Sequence, residues 1–324
     1  MSRRAIGVAF VALCAALSLP ATSKAQGTGE RTIRIIVPFA AGGGVDTFGR
    51  LIAQKLQDKL GANVVVENRG GANGTLGGSA VMQAAPDGST LLFSASTHVT
   101  ARLVMSKAPY DPLADFTPVA RVGQTPLLVV ISPKRPQNTL AEVVADAKRD
   151  PTAWTAATAA LGSPGHLGTI ALGNLTGIKP TVVLYRGTAP ALNDVAGGHV
   201  QMLVDAMVAL LPLAQTGGVK GLAITGDKRS KLAPEIPTAA ESGVPGLTIF
   251  SWYGVWGPKG MAPELVSQLN ATIAAATREL AAEGKLDSLG IEPVVETPEA
   301  FARFTSEEVA RSAALLKSVD FQPN

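Results

Sequence analysis

Cysteine is almost missing from this sequence: Cys14 is the single thiol among 324 residues, and none lies in 26–324. That part of the chain therefore has no disulfide framework, thiol nucleophile or iron–sulfur cluster. Net charge is also scarce, because residues 1–25 hold three basic and no acidic residues, which leaves 25 of each sign in 26–324. A neutral chain gives no electrostatic basis for binding nucleic acid or an anionic membrane.

Apolar runs of membrane-spanning length are missing too. The uncharged stretch 5–19 has 15 residues, fewer than the roughly 20 needed to cross a bilayer. Two arginines precede this stretch, and the small residues Ser23 and Ala25 follow it. This order predicts a signal peptide over residues 1–25, cleaved after about Ala25, and export to the periplasm. A retained membrane anchor is the alternative.

Groups that perform catalysis or hold a metal do not assemble in the sequence. The three histidines, His98, His166 and His199, lack the spacing of metal ligands. The segment 161–166 does not satisfy the G-x-S-x-G pattern of a hydrolase nucleophile. No pair of carboxylates has a spacing that predicts acid–base chemistry. We therefore predict a binding protein that is not an enzyme and uses no cofactor or metal.

Short apolar, β-branched runs alternate with segments of helical periodicity along the mature chain. The predicted strands cover 32–39, 64–66, 89–96, 126–131, 181–184, 200–204, 222–225 and 247–257. The predicted helices cover 45–60, 166–176, 189–196, 264–281 and 298–318, and another begins at the capping box of Thr139 and Glu142. Such alternation predicts an α/β architecture with mainly parallel strands. The segments 126–133 and 247–258 can each run between two domains, which would make the first domain discontinuous.

The clearest local motif is a strand, a glycine turn and a helix start within residues 37–47. Glycines allow backbone N–H groups to turn inward, and the helix N-terminus adds about half a positive charge. The motif therefore predicts an anion site that needs no cationic side chain. It is neither a P-loop nor a dinucleotide fingerprint, because Thr47 stands where a third glycine is required. A plain βα turn, with Asp46 as a helix cap, is the alternative.

Three further segments carry groups that can bind a small molecule. The glycine-rich 68–78 offers Asn73 as a neutral hydrogen-bonding group, or it is an edge loop. The segment 161–166 lies at another strand-to-helix junction. In 185–190 a helix begins near Ala189, where Gly187 and Thr188 can present N–H groups to an anion, and Arg186 is either a ligand clamp or an ordinary surface arginine. Several anion-binding turns without a reactive group are typical of a binding protein.

Six ordered blocks of the sequence resemble one family. The run 36–56, IVPFAAGGGVDTFGRLIAQKL, resembles the first strand and helix of the tripartite tricarboxylate transporter substrate-binding receptors, also called Bug receptors. The other blocks similar to that family are VVVENRGGANGTLGG (64–78), PDGSTLL (86–92), YRGTAPALNDVAGGHVQMLVD (185–205), IPTAAESGVPG (236–246) and the segment 252–263. Together they extend over nearly the whole mature chain.

The resemblance implies the type II periplasmic binding protein fold, with two α/β domains that close like a Venus flytrap. Mainly parallel or mixed sheets would be joined by two crossover strands. Domain 1 would comprise 26–125 plus 253–324, and domain 2 would comprise 126–252. The ligand would be a small organic carboxylate bound in the cleft, and the partners would be membrane permease subunits. We expect a monomer that does not bind nucleic acid.

The resemblance also implies which residues hold the ligand, chiefly through backbone groups of two turns. Arg186 stands where lysine is commoner in the family. The sequence leaves open the identity of the carboxylate, a role in signalling without transport, and an exported enzyme. The candidate ligand-binding residues are Phe39, Ala40, Ala41, Gly43, Gly44, Asp46, Thr47, Asn73, Ser163, His166, Arg186, Gly187, Thr188, Ala189 and Asp205.

Overall fold

A computed structural model describes residues 32–323, and the predicted signal peptide over 1–25 lies outside them. The strands are β1 Thr32–Val37, β2 Asn63–Asn68, β3 Thr90–Ala95, β4 Phe116–Ile131, β5 Thr155–Thr158, β6 Thr181–Leu184, β7 Met202–Ala206, β8 Lys220–Ile224, β9 Phe250–Pro258 and β10 Glu292–Pro293. The α-helices are α1 Gly44–Leu60, α2 Thr75–Met82, α3 Ser96–Val99, α4 Ala101–Val104, α5 Leu140–Arg149, α6 Pro164–Thr176, α7 Thr188–Gly197, α8 Met207–Gln215, α9 Pro263–Ala282 and α10 Pro298–Lys317.

The first sheet has β1 between β2 and β3, with both neighbours parallel to it. Strand β9 then pairs antiparallel with β3, and β4 pairs antiparallel with β9. Ile35 and Ile36 of β1 are both fully buried although they point to opposite faces. Burial on both faces is expected for a central parallel strand covered by helices. Phe48 of α1 packs edge-on against Phe93 and Tyr253 at the centre of this layer.

The second sheet is built on the far end of β4. Here β4 pairs antiparallel with β7 and β8, while β5 is parallel to both β7 and β6. Strand β4 pairs with β9 as far as Pro126 and with β7 from Leu127 onward. One 16-residue strand therefore belongs to both sheets. We call each sheet with its covering helices a lobe.

The antiparallel pairings of β4 make both sheets mixed rather than mainly parallel. Strand β4 also begins at Phe116, ten residues before the predicted strand, because β9 supplies partners along its first half. The helix α2 begins inside the glycine-rich segment, for which the sequence predicts only a loop. Strand β5 and helix α8 have no counterpart among the predicted elements.

Helix termini follow the predicted capping chemistry. The Thr139 hydroxyl accepts the Glu142 N–H, and Glu142 accepts a hydrogen bond from the Thr139 N–H, so the predicted capping box is confirmed. The Thr297 hydroxyl likewise caps α10, with Pro298 at the first helical position. Between residues 32 and 323, no helix has both the length and the hydropathy needed to cross a bilayer.

Candidate functional site

The first turn connects β1 to α1 and is held by a carboxylate of its own helix. Asp46 accepts hydrogen bonds from the Gly42 N–H at 2.9 Å, from Arg50 Nε at 3.0 Å and from Asn68 Nδ2 at 2.9 Å. Asn68 Nδ2 also donates to the Phe39 carbonyl at 3.1 Å. The path of the turn is therefore fixed by polar contacts within the first lobe.

Asp46 is ionised while it makes these contacts. Burial alone would raise the pKa of its carboxyl, but the hydrogen bonds from Arg50, the Gly42 N–H and Asn68 outweigh burial and lower the pKa below its ordinary value. A charged acceptor makes each of these hydrogen bonds stronger than a neutral one. Asp46 thus supports the turn from beneath while its atoms also line a small cavity.

The second turn connects β6 to α7 and meets the first turn directly. The Ala40 N–H donates to the Arg186 carbonyl at 3.4 Å. Gly187 has φ = 134°, a conformation that favours glycine. A Cβ atom on Gly187 would stand 3.2 Å from the Ala40 nitrogen. The absence of a side chain at Gly187 therefore allows the two lobes to approach at this point.

Four helix N-termini converge on a cavity beside the two turns, which we call the first chamber. Its lining includes Gly43 and Gly44 of α1, Ser163 of α6, Thr188 of α7 and Ala206, which precedes α8. The first N–H groups of a helix have no partner within the helix, and they carry partial positive charge. The chamber measures about 30 Å³, whereas one water requires about 10–15 Å³. The N–H groups of these helix starts suit a carboxylate group.

Asp205 joins the starts of α7 and α8 at the chamber wall. Its carboxylate accepts the Thr188 hydroxyl at 2.8 Å and the Ala206 N–H at 2.7 Å. Burial raises the pKa of Asp205, and these two hydrogen bonds oppose that increase. Asp205 therefore holds Thr188 in place from within the second lobe.

Ser163 and His166 belong to the same helix start but have different positions. The Ser163 hydroxyl caps α6 by accepting the His166 N–H at 3.2 Å, and the serine lines the first chamber. The His166 ring accepts the Gly162 N–H on Nδ1 at 3.0 Å and packs edge-on against Phe321. Burial lowers the pKa of His166 to about 4, so the ring is neutral at pH 7. His166 supports the Gly162 turn and does not line the first chamber.

A larger cavity, the second chamber, lies next to the first. It measures about 240 Å³ and shares Phe39 and Ala159 with the first chamber. Asn73 and Arg186 also line it. The Asn73 side chain forms two hydrogen bonds with the backbone of Leu161: Nδ2 donates to the carbonyl at 2.9 Å, and Oδ1 accepts the N–H at 2.6 Å. Asn73 thus connects the first lobe to the second.

The sequence profile described as tripartite tricarboxylate transporter family receptor matches residues 48–321. The chain belongs to this family. Protein BugT of Bordetella pertussis is 37% identical over 289 residues, which cover 89% of each chain. The structure of Rpa4515 from R. palustris with adipate has a TM-score of 0.88 at 35% identity and covers 92% of this receptor and 100% of that chain. The structure of the periplasmic binding protein BugD has a TM-score of 0.86 at 32% identity. The match covers 91% of this receptor and 99% of that chain.

The receptor therefore has the predicted α/β fold, the two-domain type II periplasmic binding protein fold with mixed sheets. Strand β4 is one connection between its sheets. The second connection is the segment that leads into β9 at Phe250. Just before it, the Ile249 carbonyl accepts the Thr225 hydroxyl of the second lobe at 2.5 Å. As a member of this family, the receptor is periplasmic.

The predicted ligand-binding residues of the receptor divide into three groups. The first chamber is lined by Phe39, Gly43, Gly44, Asp46, Ser163, Thr188 and Asp205. The second chamber is lined by Phe39, Asn73 and Arg186. The remaining candidates line neither chamber: Ala40, Ala41, Thr47, His166, Gly187 and Ala189. Of this last group, Ala40 and Gly187 form the contact between the turns, and the Thr47 N–H donates to the Gly43 carbonyl at the start of α1.

The first chamber of the receptor also includes polar groups that sequence reasoning missed. Thr97, Ser251 and Tyr253 line it. Ser251 and Tyr253 stand two residues apart in β9, a spacing that places both on one face of a strand. The Tyr253 hydroxyl is buried and has no hydrogen-bond partner among residues 32–323. An alternation of polar and apolar residues along β9 could have shown which face meets the chamber. Every β9 residue from Ser251 onward is buried, however, so that alternation is not visible in the sequence.

Metal binding finds no support in the part of the receptor that the structure describes. Within residues 32–323, no three His, Cys, Asp or Glu side chains lie close enough together to hold a metal ion. The first chamber is lined by two carboxylates, Asp46 and Asp205, and by no basic side chain of the described residues, so backbone N–H groups and hydroxyls are the donors it offers to an anion.

Proposed function

We propose that this receptor binds an organic carboxylate with one carboxylate group in the first chamber, and delivers it to the membrane permease subunits of a tripartite tricarboxylate transporter. The observation that carries the proposal is the convergence of four helix N-termini on one chamber beside two turns that touch. Helix N-termini are ready-made anion sites. The structure of R. palustris Rpa4515 is one with adipate, which supports a carboxylate as the ligand class.

The backbone N–H groups around Gly43, Gly44 and Thr188 would hold the carboxylate, and the Tyr253 hydroxyl would donate one further hydrogen bond. Charge-assisted hydrogen bonds contribute about 1.5–3 kcal/mol each. Several such bonds, less the costs of association and closure, leave the roughly 8 kcal/mol of a micromolar receptor. Because water weakens ionic contacts, binding is strong only when the turns are in contact and water is excluded.

The lobes that close would comprise 26–125 plus 253–324 and 126–252. The change of partners in β4 at Pro126 supports the first boundary. A ligand held by both turns has a higher affinity for the closed arrangement, and it therefore shifts the population toward that arrangement.

The mature receptor would begin at about Gln26 after removal of the signal peptide, and it would act as a monomer. We propose that it does not transform its ligand. His166, two residues after the chamber-lining Pro164, has its Nδ1 occupied by the Gly162 N–H, and burial lowers its pKa to about 4, which makes it a weak base. A bound acid would therefore be released unchanged to the transporter.

Calorimetry with residues 26–324 tests the proposal. The protein is first freed of co-purifying ligand, which native mass spectrometry of fresh protein identifies. It is then titrated with mono-, di- and tricarboxylates and with amino acids. We expect saturable binding of one carboxylate per chain in the micromolar range. Failure of every carboxylate to bind would contradict the proposed function.

A further inference from the structure

The size of the first chamber limits what a ligand can place there. At about 30 Å³ it is the smaller of the two chambers, and it suits a terminal carboxylate group. The second chamber offers about 240 Å³ and borders the first at Phe39 and Ala159. A ligand with one end in the first chamber therefore has the second chamber beside it for its other end.

All but one of the polar side chains that line the second chamber already form hydrogen bonds within residues 32–323. Asn73 uses both ends of its amide on Leu161. The Tyr185 hydroxyl donates to Asp194 at 2.6 Å. The Arg186 side chain is exposed and forms no ion pair or hydrogen bond within residues 32–323. In that part of the chain, no acidic residue lines the second chamber, so Arg186 gives it a net positive charge.

We propose that the second chamber is a subsite for a second anionic group, with Arg186 as the residue that determines specificity, so that the receptor prefers dicarboxylates to monocarboxylates. This inference rests on the proposed function and adds the ligand class to it. A guanidinium offers a planar fork that matches both oxygens of a carboxylate. Because Arg186 is exposed, its contribution falls as ionic strength rises.

Calorimetry on matched pairs of linear acids tests the subsite. The probes are succinate against butanoate, glutarate against pentanoate, and adipate against hexanoate. In the wild type we expect at least tenfold tighter binding of the best dicarboxylate than of its monocarboxylate. Arg186→Gln should remove most of that preference and change the affinity for monocarboxylates less than twofold. Arg186→Lys should retain part of the preference, because it keeps the charge but loses the fork.

Arg278→Gln is the matched control, because it removes the same charge from an exposed position on α9. It should leave both affinities unchanged. Equal affinity of wild type for the two classes, or a dicarboxylate preference that survives in Arg186→Gln, would overturn the subsite while the proposed function stands. Failure of the wild type to bind any of the six acids would count against both.

Discussion

The two turns that meet at the first chamber are built in different ways. The first turn is fixed by its own lobe, where Asp46 accepts from Gly42, Arg50 and Asn68 at 2.9–3.0 Å. The second turn has one comparable support, the hydrogen bond from Thr188 to Asp205. It also contacts the first turn, across the lobes.

This difference indicates which turn is pre-organised. A turn held by an ionised, buried carboxylate keeps its N–H groups aimed before the ligand arrives, and pre-organisation lowers the cost of binding. The second turn depends on glycine geometry and on the approach of the other lobe. We expect substitutions in the second turn to act on closure, and substitutions under the first turn to act on local order as well as on affinity.

The largest effect is expected at Gly187, where the two turns touch. Gly187→Asp adds a side chain 3.2 Å from the Ala40 nitrogen and places a negative charge beside the anion site. We expect no measurable carboxylate binding. Gly187→Ala should weaken binding at least tenfold, because the methyl group alone holds the turns apart. Gly43→Ala should change affinity less than threefold, since its methyl would meet Thr188 at an ordinary 3.6 Å. Calorimetry measures all three.

Gly217→Ala is the control for backbone strain. Gly217 also has positive φ, at 77°, but a methyl group there would meet nothing within 4 Å. Gly217→Ala should lose about 1–2 kcal/mol of unfolding free energy. Gly187→Ala should lose about 1–3 kcal/mol, because φ of 134° with ψ of 169° is almost exclusive to glycine, and only Gly187→Ala should lose affinity. Equal affinities for the two variants would mean that contact between the turns does not contribute to binding.

The next effect is expected at Asp46, which distinguishes the pre-organised turn from the other. Asp46→Ala leaves the Gly42 N–H, Arg50 and Asn68 without their shared acceptor. We expect affinity to fall about tenfold and the free energy of unfolding to fall by about 1–3 kcal/mol. Calorimetry and urea denaturation measure the two losses.

Asp58→Ala removes the same charge from the exposed side of α1 and should change neither quantity. If Asp46→Ala binds as tightly as wild type, the first turn does not need the hydrogen bonds to Asp46, and the distinction between the turns is wrong.

Local signals predicted the elements around the first chamber because those elements depend on local chemistry. The strand, glycine turn and helix at 37–47 and the capping box at Thr139 require only neighbours a few residues away. Strand β4 is different, because its first half contains Pro118 and Gly123, which favour a loop. It is extended because β9, more than a hundred residues away, pairs with it.

The candidate site shows the same limit. Glycine patterns located both turns, but they could not show that Asn73 pairs with Leu161, 88 residues further along the chain. Nor could they show that Ser251 and Tyr253 complete the first chamber. Which backbone or side chain a polar group meets is decided by packing between distant segments, and one sequence contains little signal for that.

The smallest effect is expected at Asn73, which supports closure without touching the first chamber. Its two hydrogen bonds to Leu161 form only when the lobes are in contact, whereas water satisfies the same groups when the lobes are apart. Each neutral hydrogen bond contributes about 1 kcal/mol net. Asn73→Ala should therefore shift the population away from the closed arrangement and weaken carboxylate binding about threefold to tenfold.

Calorimetry measures the affinity, and small-angle X-ray scattering of the liganded protein measures how far the lobes close. Asn63→Ala, which removes an exposed amide from β2 in the same lobe, should match wild type in both measurements. If Asn73→Ala keeps wild-type affinity, the hydrogen bonds to Leu161 are replaced by water at no cost. In that case closure depends on the contact between the turns alone, and the contrast between a pre-organised first turn and a dependent second turn becomes sharper.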